Sequence, residues 1–259
     1  MDKSLLVKII GYPATLIHHD TTIIDRWLWI KNRLPKTNNK EALLDIGCGT
    51  GAFTIGASLR GYQALGLSWD ERNQKVAGER AKICNASTAT FEVQDVRHLH
   101  DRKDLFEKFE VAICCENIEH ILDDKKLLKD IASCLKPGGY LLLTAPYYHQ
   151  RAISSSDDGP FRNIEDGGHV RRGYTMTMLV ELSEFAGLKI EEISFCNGYL
   201  SQKIAKLYRE LSKIHSLLAW LVILPLRILP LIFDKAISKF FSSNDLTICM
   251  EAHKPRFKK

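Results

Sequence analysis

Residues Leu43–Phe53 read LLDIGCGTGAF. Leu43, Leu44 and Ile46 surround a single acid, Asp45, in the pattern of a buried strand, and a helical period opens at Ala52 and Phe53. Between them, Gly47, Cys48, Gly49, Thr50 and Gly51 form a loop in which the glycines permit positive φ and let a ligand approach the backbone. The spacing Gly47-x-Gly49-x-x-Ala52 also satisfies the dinucleotide fingerprint, so the loop alone fits any nucleotide-like ligand.

Asp45 separates the alternatives. At the mouth of the strand its carboxylate would repel a pyrophosphate, whereas S-adenosylmethionine brings an ammonium and a sulfonium, both positive. A loop-capping role without a ligand is the other reading of Asp45, and a dehydrogenase is disfavoured by the same charge. The end of the next strand would hold the ribose about 20 residues after the glycines. Ser68 stands there, able to hydrogen-bond a hydroxyl but without the charge assistance of an acid. Trp69 either covers an adenine face or packs in the core, and Asp70 is expected to cap the helix that follows. After the third strand, Asp95 could accept a hydrogen bond from the adenine amino group with Val96 against the ring.

Working outward, strand and helix periods alternate from residue 41, which predicts a parallel sheet covered by helices on both faces. Strands are expected at Ala42–Asp45, Gln63–Leu67, Thr90–Gln94, Val111–Cys115, Tyr140–Thr144, Lys189–Phe195 and Leu246–Ala252. A helix opened by Asp123 and Asp124 is expected to stop at LKPGG, Leu135–Gly139. Upstream, IIDRWLWIKNRLP places Ile24, Trp27, Ile30 and Leu34 on one helical face. The 259 residues thus divide into an N-terminal helical segment (1–40), an α/β core (41–200 plus 245–259) and an insert (201–244) between strands six and seven.

The ordered motifs LLDIGCGTGAF, GLSWDE, VQDV, VAICCENIEHI and LKPGGYLLLTAP resemble those of the class I S-adenosylmethionine-dependent methyltransferases. The resemblance covers about residues 40 to 200 plus the last strand. It implies a Rossmann-like seven-stranded sheet of order 3-2-1-4-5-7-6, with strand seven antiparallel. It also implies that Asp45, Gly47, Gly49, Ser68, Asp95 and Glu116 line the cofactor, S-adenosylmethionine. The departure is Ser68 where the family carries an acid.

Methyl transfer from a sulfonium is an in-line displacement in which alignment and exclusion of water do most of the work. An oxygen or nitrogen acceptor still benefits from a base near neutral pH, which directs attention to histidine. His120, His149 and His169 all follow strand ends, and His169, in the glycine-flexed GGHVRRGY, is the first choice with His149 second. A solvated loop histidine is the alternative for each. Glu116-Asn117-Ile118-Glu119-His120 resembles the Glu-x-x-Glu-His run of ubiquinone-pathway O-methyltransferases, which is associated with a divalent metal. Packing of Glu119 and His120 at the sheet edge without a metal is the preferred reading here. Arg151, Arg162, Arg171 and Arg172, beside Tyr147, Tyr148, Phe161 and Tyr174, suit an acceptor with an anionic group and a flat or apolar body. Nearby acids are available to pair with those arginines instead.

The insert opens with a basic amphipathic helix (Ser201–His215) and continues as LLAWLVILPLRILPLIF, Leu217–Phe233. Seventeen helical residues reach roughly 25 Å, short of a bilayer core of ~30 Å, and Pro225, Pro230 and Arg227 interrupt the run. Peripheral membrane contact through 201–240 and a lid or dimer surface are both compatible with it. No nucleic-acid partner is expected, because a net charge of +5 is modest and no basic-aromatic platform is present. Seven cysteines without metal or redox spacing and no signal peptide point to the cytoplasm, with possible membrane association. The expected activity is methylation of a hydroxyl or amine on a small-molecule or lipid-like acceptor. The alternative is a cofactor-binding module that no longer transfers and serves as an interaction or tethering unit. Sequence leaves the oligomeric state open.

Overall fold

A strand whose residues are apolar on both faces must be covered on both, and the central strands of this protein meet that condition. In the computed structural model, which describes residues 4–17, 21–150, 152–153, 155–241 and 245–256, Leu43, Leu44, Ile113, Cys114, Leu141 and Leu142 are fully buried. The strands are β1 (Ala42–Ile46), β2 (Gln63–Ser68), β3 (Ala89–Val93), β4 (Phe109–Cys115), β5 (Leu135–Pro146), β6 (Lys189–Cys196) and β7 (Thr247–His253). They form one sheet of order β3-β2-β1-β4-β5-β7-β6. β1 to β5 run parallel, and β7 is antiparallel to both neighbours. The expected topology is the observed one.

The strand bounds differ most at β5. LKPGG is expected to stop the preceding helix and the strand to begin at Tyr140; the helix does end at Cys134, but Leu135 already pairs with Phe109 across an irregularity before Val111. Gly138 turns with a φ of +86° and its N–H donates to the Lys254 carbonyl, so the segment is held extended along the sheet.

Nine α-helices accompany the sheet among the described residues: α1 (Leu5–Ile10), α2 (Ile23–Arg33), α3 (Ala52–Ser58), α4 (Glu71–Ile83), α5 (Asp124–Cys134), α6 (Met176–Ala186), α7 (Tyr199–Ile214), α8 (Ser216–Leu226) and α9 (Ile228–Phe240). Their starts follow side-chain chemistry. Asp70 accepts the backbone N–H of Arg72 and Asn73 to cap α4, Asp123 accepts that of Lys126 for α5, and Thr175 that of Met178 for α6. On one face of the sheet α5 and α6 bury Leu127, Leu128, Ile131, Leu179 and Leu182. On the other, α2 and α3 bury Trp27, Trp29, Ile30, Leu34 and Phe53.

The N-terminal segment is therefore part of the core. Trp27 stacks on Phe53 with ring centroids 5.7 Å apart, and Tyr12 meets Trp27 edge-on. The indole of Trp29 donates to Ser194 of β6 at 2.8 Å, and Arg33 reaches Glu251 of β7 at 3.0 Å. The insert, α7 to α9, forms a small cluster of its own around Ile204, Tyr208, Ala219 and Ile223. Its base is closed, because Asp234 of α9 accepts the N–H groups of Leu200 and Ser201 in the first turn of α7.

What this arrangement positions is the carboxyl-end edge of β1, β2, β4 and β5. The chain order reverses between β1 and β4, and parallel sheets bind ligands at such a reversal. If α2 belongs to the same cooperative unit as the sheet, Ile30→Ala, at a fully buried position, lowers stability by about 2–5 kcal/mol. Urea unfolding is then expected to remain a single transition whether read by tryptophan fluorescence or by far-UV circular dichroism.

Candidate active site

The glycine loop is shaped by what it must avoid. Gly47, Gly49 and Gly51 all have positive φ. A Cβ on Gly47 would lie 2.1 Å from the Asn117 amide, and one on Gly51 would lie 2.7 Å from Phe91. Only glycine fits either place. The loop borders a cavity of about 200 Å³, lined by Asp45, Gly47, Cys48, Gly49 and Thr50 together with Ala52, Phe53, Cys115, Glu116 and, from α2, Ile23 and Arg26. The Cys48 thiol lies 3.7 Å from the Gln74 amide, and burial pushes it well above its ordinary range. Thr50 accepts a hydrogen bond from the buried Arg80 at 2.7 Å, which fixes the loop to α4.

Asp45 is 1% exposed and accepts a hydrogen bond from the Thr54 hydroxyl at 2.6 Å. Burial pushes its carboxyl up to about 6, partly offset by Thr54. A dry carboxylate with one neutral partner suits an incoming cation.

The remaining sequence candidates are spread along the same edge. Ser68 is buried, and its hydroxyl accepts the Asp70 N–H at 3.4 Å. Trp69 is 64% exposed, which excludes core packing, and its ring lies 4.0 Å from where a Gly167 Cβ would be. The Asp95 carboxylate is held by the Arg97 guanidinium, which also pairs with Glu165 and keeps the Asp95 carboxyl below its ordinary range. Val96 is buried in the core beside Leu99. None of these four lines the 200 Å³ cavity.

Glu116 takes a positive φ of 47°, unusual for a residue with a side chain. Its carboxylate pairs with Arg26 at 3.0 Å and accepts the Thr144 hydroxyl at 3.2 Å. Arg26 and Glu116 also line a second cavity of about 400 Å³, so this ion pair stands between two chambers. The second chamber is bounded by Gln150, Ile153 and His169 of the long loop between β5 and α6 (147–175), by Pro146 and Leu246, and by Ala205, Tyr208 and Arg209 of α7. Sequence reading had passed over Arg26. Its signal was present, as a cation between Ile23 and Ile30 on the buried face of an otherwise amphipathic helix.

His169 sits at the rim of this chamber, with its ring 4.7 Å from that of His120. Burial, with His120 beside it, lowers the pKa of His169, so the imidazole is neutral near pH 7. His149 is exposed and lies edge-on to Tyr147 and Tyr148, outside the chamber lining. Glu119 is 1% exposed, and neither carboxylate oxygen has a hydrogen-bond partner. Burial and the Glu116 charge push its carboxyl well above the usual range. Ligand atoms of Glu119, His120 and His169 lie within 4.8 Å of one another and could hold a divalent ion, whereas Glu116 is committed to Arg26. The arginines expected to greet an anionic acceptor are paired: Arg162 with Asp166, Arg171 with Asp124 and Arg172 with Asp158. Arg151 lies outside the described residues.

A 3-2-1-4-5-7-6 sheet with a glycine loop and a buried acid at the end of β1 defines the class I S-adenosylmethionine-dependent methyltransferase fold. Residues 18–193 match the family model described as a methyltransferase domain, and the chain belongs to that family. It is 28% identical over 116 residues to the ubiquinone biosynthesis O-methyltransferase of Leptothrix cholodnii, covering 45% of this chain and 48% of that one. The Coxiella burnetii protein of the same name is 29% identical over 156 residues, covering 59% and 65%. The chain thus spans about half the length of the first of these curated relatives. Among solved structures, the Haemonchus contortus phosphoethanolamine N-methyltransferase 2 bound to S-adenosyl-L-methionine matches with a TM-score of 0.61 at 22% identity, over 89% of this chain and 52% of that one. The [4+2]-cyclase SpnF matches with a TM-score of 0.60 at 17% identity, over 90% and 82%. One fold thus serves a cyclase and an N-methyltransferase alike.

If Asp45 meets the cationic donor, affinity depends on its ionised form. Its carboxyl is raised, so donor affinity measured by calorimetry is expected to be level above about pH 6 and to fall as pH drops through that value. A raised carboxyl also makes the unliganded fold less stable as pH rises through about 6. Asp45→Asn should therefore keep or raise the melting temperature of the unliganded protein at pH 7.5 while weakening donor binding at least tenfold.

Proposed function

We propose that the protein transfers the methyl group of S-adenosylmethionine to a hydroxyl or amine of a small, lipid-like acceptor, working in the cytoplasm with peripheral membrane contact through residues 201–240. The observation that carries this reading is the pair of adjoining chambers that share Arg26 and Glu116, one at the glycine loop and one reaching His169. A donor in the first and an acceptor in the second would meet at that wall.

The acceptor chamber is mixed in character. Pro146, Ile153, Ala205 and Leu246 supply apolar surface, and Gln150, Tyr208 and His169 supply polar groups. This composition suits an amphiphilic molecule with one reacting polar group. The neutral His169 imidazole could take the proton that an acceptor hydroxyl or ammonium must lose, and the ion pair at the wall orients the reacting group. Relatives named as an O-methyltransferase and an N-methyltransferase support oxygen and nitrogen as the acceptor atoms. No step of this scheme requires the Glu119, His120 and His169 cluster to hold a metal.

Incubation with labelled methyl donor and fractionated cell extract tests the reading. Label is expected in a lipid or small-molecule fraction, and label confined to protein or nucleic acid would overturn it. With the acceptor in hand, His169→Ala is expected to lower kcat by about 10²–10⁴ while donor affinity is retained, and His149→Ala to change little. Turnover is expected to survive a chelator. Restoration by magnesium alone would instead assign Glu119, His120 and His169 to an ion.

A further inference from the structure

We propose that α8 and α9 form an elbow that seats the protein in the interfacial layer of an anionic membrane without crossing it. α8, SLLAWLVILPL, carries no charged residue. A helix that is apolar all round belongs in a core or in lipid. Yet only Ala219 and Ile223 of α8 are buried. Ten large apolar side chains between Ile214 and Phe233 are exposed, among them Leu221 at 54% and Ile232 at 65%. Single exposed apolar residues are ordinary, but ten within twenty residues make an interaction surface.

Charge identifies the partner. Between Tyr199 and Phe241 seven lysines and arginines face two acids, an excess of five that equals the net charge of the whole chain. The rest of the protein is balanced. The exposed lysines 203, 206, 213, 235 and 239 flank the apolar elbow on α7 and α9. Apolar insertion combined with basic flanks is the two-part requirement for holding a protein at an anionic bilayer. A second copy of this chain would bring a like excess of charge against the same face, which opposes self-association there.

The backbone limits the depth of insertion. Among the described residues no single helix is long and apolar enough to cross a membrane, and the pair α8 and α9 is bent by 64° at its break. Both ends of the insert stand at one point of the sheet. The N–H of Tyr199 donates to Ser238 at 2.7 Å and that of Leu200 to Asp234 at 2.6 Å, tying the start of α7 to the end of α9. The chain therefore enters and leaves on the same side. α7 lines the acceptor chamber with Ala205 and Tyr208 while packing against α8 through Ile204 and Tyr208, so a bilayer reached by the elbow lies beside that chamber. This assignment rests on the proposed transfer to a lipid-like acceptor for its purpose, not for its geometry.

Vesicle co-sedimentation of the full chain, with neither donor nor acceptor added, keeps the two readings apart. The protein is expected to pellet with phosphatidylcholine vesicles containing phosphatidylserine and much less with phosphatidylcholine alone. Binding should weaken near 1 M salt, where the screening length is about 3 Å. Leu221→Asp with Ile232→Asp, both at exposed positions, is expected to reduce pelleting at least tenfold while donor affinity and melting temperature are kept. Lys235→Glu with Lys239→Glu should remove the preference for anionic vesicles. Failure to pellet with either vesicle would overturn the proposal, as would pelleting unchanged in the Asp variant. So would a dimer in analytical ultracentrifugation that the same Asp variant converts to monomer, which would give the face to a second copy. Vesicle binding with no methyl transfer to any acceptor would leave this proposal standing and defeat the functional one.

Discussion

A carboxylate held out of water needs compensation, and Asp45 has little of its own. Among the described residues Thr54 alone hydrogen-bonds it, and no cation pairs with it. The desolvation of such a group costs several kcal/mol in a dry setting. That cost falls where β1 hands the chain to the glycine loop, beside the sheet's order reversal. Around it, the apolar strands exclude water, the loop glycines leave backbone room, and Thr50 is tied to α4 through Arg80. These features have a common direction when a sulfonium-bearing donor completes the site.

The second ion of consequence is Arg26. It is buried, pairs with Glu116 and donates to the Thr22 hydroxyl, and so it joins α2 to the end of β4. An ion pair at the wall between two chambers can shape both without reacting itself. Removing Glu116 would leave the Arg26 charge buried, which is why the pair holds its geometry firmly. The positive φ of Glu116 belongs to the same design, because the turned backbone aims its carboxylate at α2.

The long loop and the insert both line the other chamber. The loop is pinned at its base by Tyr174, which is fully buried and donates to Asp124 at 2.9 Å, and by the Val170 N–H bonded to the Glu119 carbonyl at 3.0 Å. Arg209 of α7 pairs with Asp157 of the loop, so the two covers meet by charge at the chamber edge. Among the described residues of the loop, Arg162, Arg171 and Arg172 are likewise paired with acids.

By itself the sequence determined the strands and the glycine loop, because strand periodicity, cap residues and the need for positive φ are local properties written in short windows, while the sheet order followed from the family resemblance of the ordered motifs. Asp45 was legible for the same reason, as one acid in an apolar strand. Tertiary structure alone decided which distant groups meet. Arg26 lies 90 residues from Glu116 along the chain, and no local pattern records that a helix will bring it there. Periodicity likewise could not distinguish His169, which reaches the chamber, from His149, which stays outside against two tyrosines. Nor could it tell that the apolar run after α7 stays exposed, since burial depends on what the rest of the chain leaves uncovered.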